Sequence, residues 1–258
     1  MVPFAELLEV GARQARSLDV TEHRPWPLPE RPWVLAETCR DQLFAHWRVS
    51  AAALREYLPE EVGVDEYDGS AWLGVTPFAV EGLRVRGLLP VPVVSGFLEL
   101  NVRTYVTHGD RPGIWFLSLD ASSRLAVEAA RRLYRLRFFR ATITVQRQAR
   151  RVVYVCARDD RHAFSGSYRP VGEPRPADPG SLEHFLPERY CLYTEDRGRL
   201  FRADIHHRPW LLQAAEAAIE LNTMPPDWLS LEDEPRFLYS ASQDVVLWPL
   251  EEVTGKVT

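Results

Sequence analysis

The chain has 258 residues, of which 46% are hydrophobic and 26% charged, an ordinary globular composition that argues against disorder, a collagen-like repeat or a coiled coil. Its 31 basic and 36 acidic residues leave a net charge of −5, which disfavours a dedicated nucleic-acid binder. Lys256 is the single lysine, so a Schiff-base mechanism has one candidate amine and a Walker-type phosphate loop has none.

Phe4, Leu7, Leu8, Val10 and Ala15 share one face of a short N-terminal helix expected to dock on the main body. The stretch from Met1 to Arg16 carries Glu6 and Glu9 and lacks an apolar core of signal-peptide length. No segment approaches the apolar length that spans a bilayer, so a cytoplasmic protein with no membrane partner is expected. Cys39, Cys156 and Cys191 form no Cys-x-x-Cys pair and are expected to be reduced thiols. Pro25, Pro27 and Pro29 impose an extended connector, with Trp26 and Trp33 as its anchors. Residues 1–34 are thus assigned to a helix and connector, and 35–258 to one β-rich cavity domain.

Leu35 to Val49 has strand character, and Ser50 caps a short helix through Tyr57 that Pro59 closes. Val62–Tyr67 and Ala71–Phe78 flank Asp68-Gly69, a strong hairpin signal. A loop with Pro90 and Pro92 precedes two long strands, Phe97–His108 and Ile114–Asp120. Ser122 or Ser123 caps a helix through Leu136, with Leu125, Ala129 and Leu133 on its apolar side. Phe139–Val145 and Arg151–Ala157 read as a hairpin, and Ala163–Val171 as a further strand. Gly172–Gly180 is a loop; Glu188–Tyr193, Leu200–His206, Arg236–Ala241 and Val245–Leu250 continue the strand series. Pro209–Leu221 is ambiguous, because its alanines favour a helix that tertiary context can override. Many strands and few helices give an α+β, β-rich fold: a large curved antiparallel sheet with helices packed on it.

The segment from Gly96 to Val106 carries the most chemistry. As a strand it places Leu98, Leu100, Val102, Thr104 and Val106 on one face. Phe97, Glu99, Asn101, Arg103 and Tyr105 form the other. Glu99 and Arg103 lie about 13 Å apart along an extended strand, too far for a tight pair but able to converge on a small ligand. Arg103 would clamp a carboxylate or polarised carbonyl, and Glu99 would move a proton or position a polar group. Alternation alone favours a solvated face of a half-exposed strand.

Phe44-x-His46-Trp47, Leu58-Pro59, Asp68-Gly69-x-Ala71-Trp72-Leu73-Gly74 and Thr76-Pro77-Phe78 continue into Glu99-x-Asn101-x-Arg103-Thr104-Tyr105. Together with Phe185-Leu186-x-Glu188-Arg189-Tyr190, Tyr193 and Pro209-Trp210, they resemble the YqjF-like family, also called DUF2071, over roughly residues 35 to 250. The resemblance implies an acetoacetate decarboxylase-like fold, a curved sheet closing around a ligand cavity, and brings no established activity. Gly96-Phe97-Leu98-Glu99 resembles the Gly-x-Tyr-x-Glu strand segment of acetoacetate decarboxylases. Arg137-Phe138-Phe139-Arg140-Ala141 stands where those enzymes carry Pro-Lys-Lys-x-Ala, with phenylalanine at both lysine positions. A phenyl ring forms no imine, so decarboxylation by that route is not expected.

His46, beside Trp47, is a candidate general base or ligand donor in the same cavity. His206 and His207 point to opposite faces of a strand and no His-Glu-x-x-His occurs, so no metal site is expected. Arg131, Arg132, Arg135, Arg137 and Arg140 read as a solvated helix face rather than a nucleic-acid patch. The expected function is a cavity that binds a small organic acid or carbonyl compound through Arg103, Asn101, Tyr105 and His46, with no cofactor. Two alternatives stand beside it: a non-covalent acid–base enzyme in which Glu99 carries the proton, and an interaction scaffold with no enclosed pocket. A homo-oligomer is left open.

Overall fold

The computed structural model describes residues 4–90 and 96–253. Pro92 and Lys256, singled out above, lie outside the described residues. The strands are β1 (Leu35–Val49), β2 (Gly63–Val64), β3 (Ala71–Val85), β4 (Phe97–His108), β5 (Arg111–Ala121), β6 (Phe138–Arg140), β7 (Thr142–Gln148) and β8 (Arg151–Ala157). They continue as β9 (Ala163–Arg175), β10 (Cys191–Asp196), β11 (Arg199–His207), β12 (Leu212–Asn222), β13 (Glu232–Leu247) and β14 (Glu251–Glu252). The helices are α1 (Phe4–Ala15), α2 (Ala51–Tyr57), α3 (Arg124–Tyr134) and α4 (Leu182–Phe185). All strands belong to one 14-stranded sheet.

The sheet turns back on itself. From β11 the pairings run through β10, β5, β4, β3, β1 and β13, and the end of β13 pairs with β11 again. The first half of β13 instead carries β12, from which β9, β8 and β7 follow as a wing. The wing folds over the outer face of β1, β3 and β4. There Leu43, Val75, Leu100 and Val102 bury against Tyr154, Cys156, Phe164 and Tyr168. The inner face of the ring gathers Phe44, Phe78, Val80, Leu192, Ile205 and Trp210. Each long central strand is therefore buried on both sides, and the polar row on β4 is not a solvated face.

The expected β-rich α+β fold is present, with local corrections. The sheet is mixed rather than antiparallel, because β10 and β6 each return alongside β5 in parallel. Asp68 and Gly69 both take positive φ, 53° and 69°, and Tyr67 and Ser70 exchange backbone hydrogen bonds around them, as a tight hairpin turn requires. The segment before that turn does not pair with β3, however. It is a strand only at β2, which joins β4. Residues 209–221, where helix preference competed, contain strand β12. Pairing with β9 and β13 outweighs the modest helix propensity of alanine. The expected Gly172–Gly180 loop begins four residues late, after β9 has continued to Arg175. The Glu188–Tyr193 strand is shifted to β10, the Leu200–His206 strand is present as β11, and the last two expected strands are the single β13.

Ser50 and Ser123 cap α2 and α3 through the backbone N–H groups of Ala53 and Ala126, both at 3.3 Å. The buried residues of α3 are Ala126, Val127 and Tyr134, so the helix lies rotated from the expected Leu125–Ala129–Leu133 face. Leu125 and Leu133 are exposed. Helix α1 docks on the ring through its polar residues. Arg13 pairs with Asp244, and Gln14 bonds Thr38 and accepts from Arg84. Trp33 is buried beside Trp248, and the Trp26 indole donates to Asp204, so both tryptophans anchor the connector.

Candidate ligand cavity

The ring encloses a cavity of about 380 Å³. Register orders its wall by depth. Cys39, Val80 and Phe97 lie at one level across β1, β3 and β4, and His46, Gly74 and Arg103 at a deeper one. Descending β4, the inward residues are Phe97, Glu99, Asn101, Arg103 and finally Tyr105. Glu99, Asn101 and Arg103 line the cavity at 7%, 4% and 5% exposure. The expected alternation thus places three of the candidate residues on one inner wall.

Tyr105 and His46 do not form part of that wall. They sit one layer deeper, fully buried, with the His46 Nε2 2.6 Å from the Tyr105 hydroxyl. The Arg103 Nε–H donates to the same hydroxyl at 3.3 Å. The phenol oxygen is then an acceptor from arginine, and its own proton is free to point at the imidazole. Burial, with the charges of Arg103 and Arg189 behind it, holds the His46 imidazole well below its ordinary pKa. His46 is therefore neutral at pH 7 and supports Arg103 through Tyr105 rather than meeting a ligand. Gly74 makes this stacking sterically possible: a Cβ there would stand 2.7 Å from His46 Nε2 and 3.3 Å from Arg103 Cγ.

Arg103 is flanked by the rings of Phe44 and Tyr105, 5.4 and 5.8 Å from its guanidinium carbon. Its Nη2 is buried and unpartnered, and among the described residues it makes no ion pair. Asn101 accepts from Thr76 through Oδ1 at 2.5 Å, which turns its amide nitrogen toward Glu99. Burial pushes the Glu99 carboxyl well above the usual range. The nearby Glu37 and Asp120 push it further, against the opposing hydrogen bond from Asn101.

Sequence reasoning missed two wall residues of equal weight. Glu37 lines the cavity, and burial pushes its carboxyl up to about 7. Counting back by twos from His46 would turn Glu37 outward. Between Arg40 and Ala45, however, β1 takes five steps against four on β3, with Asp41 at φ 50°, and this extra residue reverses the alternation. Arg189 lies in irregular backbone between α4 and β10, where no periodicity could flag it. It is 3% exposed, pairs with Asp65, stacks on Tyr105 and Phe185, and leaves its Nη2 buried without a partner. His207 also reaches the wall and accepts from the Trp210 indole through Nε2, while His206 faces the N-terminal segment at Ser17. Phe138, at one of the positions compared with decarboxylase lysines, lines the cavity. Its neighbour Phe139 stacks on Arg158 instead.

The wall can do three things chemically. Two guanidiniums at the floor offer charge and free N–H donors to an anion. Two carboxyls higher up, Glu37 and Glu99, are both raised by burial, Glu37 to about 7, and can donate or take a proton. The remaining lining is predominantly apolar.

Comparison with known proteins agrees with this architecture. The DUF2071 family, described as an uncharacterized conserved protein, matches residues 36–244. The uncharacterized protein YqjF of Bacillus subtilis (strain 168) is 43% identical over 229 residues, covering 87% of this chain and 95% of that protein. Among solved structures, the enduracididine biosynthesis enzyme MppR, complexed with pyruvate, superposes with a TM-score of 0.63 at 14% identity, over 90% of this chain and 93% of that one. Acetoacetate decarboxylase from Legionella pneumophila gives 0.61 at 11% identity, over 92% and 94%. An acetoacetate decarboxylase-like enzyme from Sphingomonas wittichii RW1 gives 0.60 at 18% identity, over 90% and 98%. The fold is acetoacetate decarboxylase-like, and the chain belongs to the DUF2071 family.

Proposed function

We propose that this protein binds an organic acid or carbonyl compound in the ring cavity and forms no imine with it. The supporting observation is Arg103, a buried guanidinium with an unpartnered Nη2 and no carboxylate paired to it among the described residues. An uncompensated buried cation costs several kcal/mol, roughly, unless an anion arrives to share the site. Glu99 stands about 13 Å away along β4 and is held protonated by burial, so it does not supply that charge. Arg103 and Arg189 bind the anionic oxygen, while Asn101 and Glu99 orient the rest of the ligand. Tyr105 and His46 hold Arg103 in place. Lys256 is the single lysine of the sequence, and Phe138 occupies the wall position compared with the decarboxylase lysines. That one neighbour of this fold was solved with pyruvate is consistent with a small acid in such a ring.

Calorimetric titration of wild type and Arg103→Ala with acetate and pyruvate tests the reading. Binding that vanishes in the variant supports it; equal affinity in both refutes it.

A second reading is favoured by the two raised carboxyls. Burial raises both Glu37 and Glu99 inside the cavity, Glu37 to about 7, the kind of shift that non-covalent acid–base catalysis on a bound carbonyl compound uses. Solvent deuterium exchange into pyruvate, followed by NMR, tests it: exchange lost in Glu99→Gln with binding retained identifies an enzyme.

A further inference from the structure

We infer that the natural ligand is an amphipathic monocarboxylate, whose head lies at Arg103 and whose apolar body runs up the shaft to a leucine-lined mouth. This rests on the proposed acid-binding reading and adds the class of acid.

The first argument is depth. Arg103 lies six residues below Phe97 on β4, about 20 Å of strand. A three-carbon acid at the floor would leave most of that height open. The cavity, at about 380 Å³, falls within the range of ~300–1,000 Å³ common for drug-sized ligands.

The second is the chemistry along the shaft. Polar groups are few and spaced out, with Glu37 and Arg84 on the mouth side of Phe97 and Glu99, Asn101, Arg103 and Arg189 below it. The rest of the lining is mostly apolar: Leu119 and Phe138 lie level with Asn101 on β5 and β6, and Leu83, Ala130 and Leu136 add to it. A wholly polar ligand would bury many of its atoms against apolar groups that return no hydrogen bonds, a cost of roughly 1–3 kcal/mol for each unpaired group. An alkyl or aryl body meets no such cost.

The third is the mouth. Val85, Leu88 and Leu133 line the cavity and are also 50%, 62% and 58% exposed. Residues of that kind mark where a cavity opens to solvent. This accounts for the rotation of α3: Ala129 and Leu133, expected to face the core, stand at the lip instead. Clustered exposed apolar side chains are a feature of binding sites rather than of ordinary surface.

The experiment is calorimetric titration with unbranched acids from acetate through decanoate. Affinity should rise about fourfold per methylene, the value of a buried CH₂, until the shaft is filled. Ala130→Phe should end the rise at a shorter chain. Leu133→Asn, a substitution at a position 58% exposed and outside the core, should reduce the gain for the longest acids. Octanoate binding no better than acetate, with both still lost in Arg103→Ala, overturns this inference and leaves the acid-binding reading standing. Failure of every acid to bind, or binding indifferent to Arg103→Ala, overturns both.

Discussion

Gly74 faces His46 across the β1–β3 pair so closely that a methyl group at position 74 would stand 2.7 Å from the imidazole Nε2. The same methyl would press on Arg103 Cγ at 3.3 Å. The chain of contacts from His46 through Tyr105 to Arg103 therefore depends on a missing side chain on the neighbouring strand.

Gly74→Ala should displace the imidazole or Arg103, since the backbone on either side is held in a central strand. Overpacking of this kind costs typically about 1–3 kcal/mol. Chemical denaturation should show a loss in that range, and the titrated affinity for acetate should fall with it. A variant that loses stability but keeps full affinity would show that Arg103 is positioned without this contact.

Arg103→Leu should separate binding from stability. Replacing a buried ionic group by an apolar one of similar volume is often neutral or favourable by about 1–4 kcal/mol. The melting temperature should stay level or rise, while acid affinity falls on the order of 100-fold, as expected when a buried charge pair is broken. A large drop in melting temperature would instead make Arg103 a structural group.

How far the sequence revealed this site depended on regular alternation. On β4 every second residue faces inward, so Glu99, Asn101 and Arg103 could be read in a row. Tyr105 follows the same alternation but lies past the floor, because the cavity ends where His46 and Phe44 close it. On β1 a single extra residue at Asp41 separates the inward set of Glu37 and Cys39 from that of Gln42 and Phe44, and simple counting fails there. Arg189 comes from irregular backbone, whose direction is set by tertiary contacts with Asp65 and Phe185 rather than by local period. The same distinction explains β12. Its alanines say little about their partners, and pairing with β9 decided the outcome.

The raised carboxyls give the protein an unusual pH dependence. Glu37 titrates at about 7 in the folded chain against 4.5 as an isolated group, and Glu99 is also raised. Between those values the folded state holds a proton that the unfolded state has released, so stability falls as pH rises. The favourable contribution is complete below pH 4.5 and is lost as pH climbs through about 7 for Glu37, with Glu99 contributing in the same direction. Denaturation at pH 5.5 and 8.5 should differ by on the order of 1–3 kcal/mol from this source. Glu37→Gln should flatten the profile and raise stability at pH 8.5. Acid affinity should also weaken above pH 7 as the Glu37 carboxylate begins to repel the ligand, and Glu37→Gln should remove that decline.

A buried ion pair joins the wing to the ring beside their apolar contacts. Asp120 on β5 is fully buried and receives two hydrogen bonds of 2.6 Å from Arg158, which follows β8. Even so, burial leaves the Asp120 carboxyl above its ordinary pKa, so desolvation exceeds what the arginine returns. Arg158→Ala would strand that carboxylate without a counter-charge and should cost about 3–5 kcal/mol. Arg158→Lys should recover only part of the loss, because an ammonium cannot reproduce the planar two-bond contact. The double variant Asp120→Leu with Arg158→Leu should be far more stable than Arg158→Ala alone, since it removes the buried charge together with its partner. A double-mutant cycle by urea denaturation checks the pair, and equal losses in the Arg158→Ala and double variants would mean that the wing is held by its apolar contacts alone.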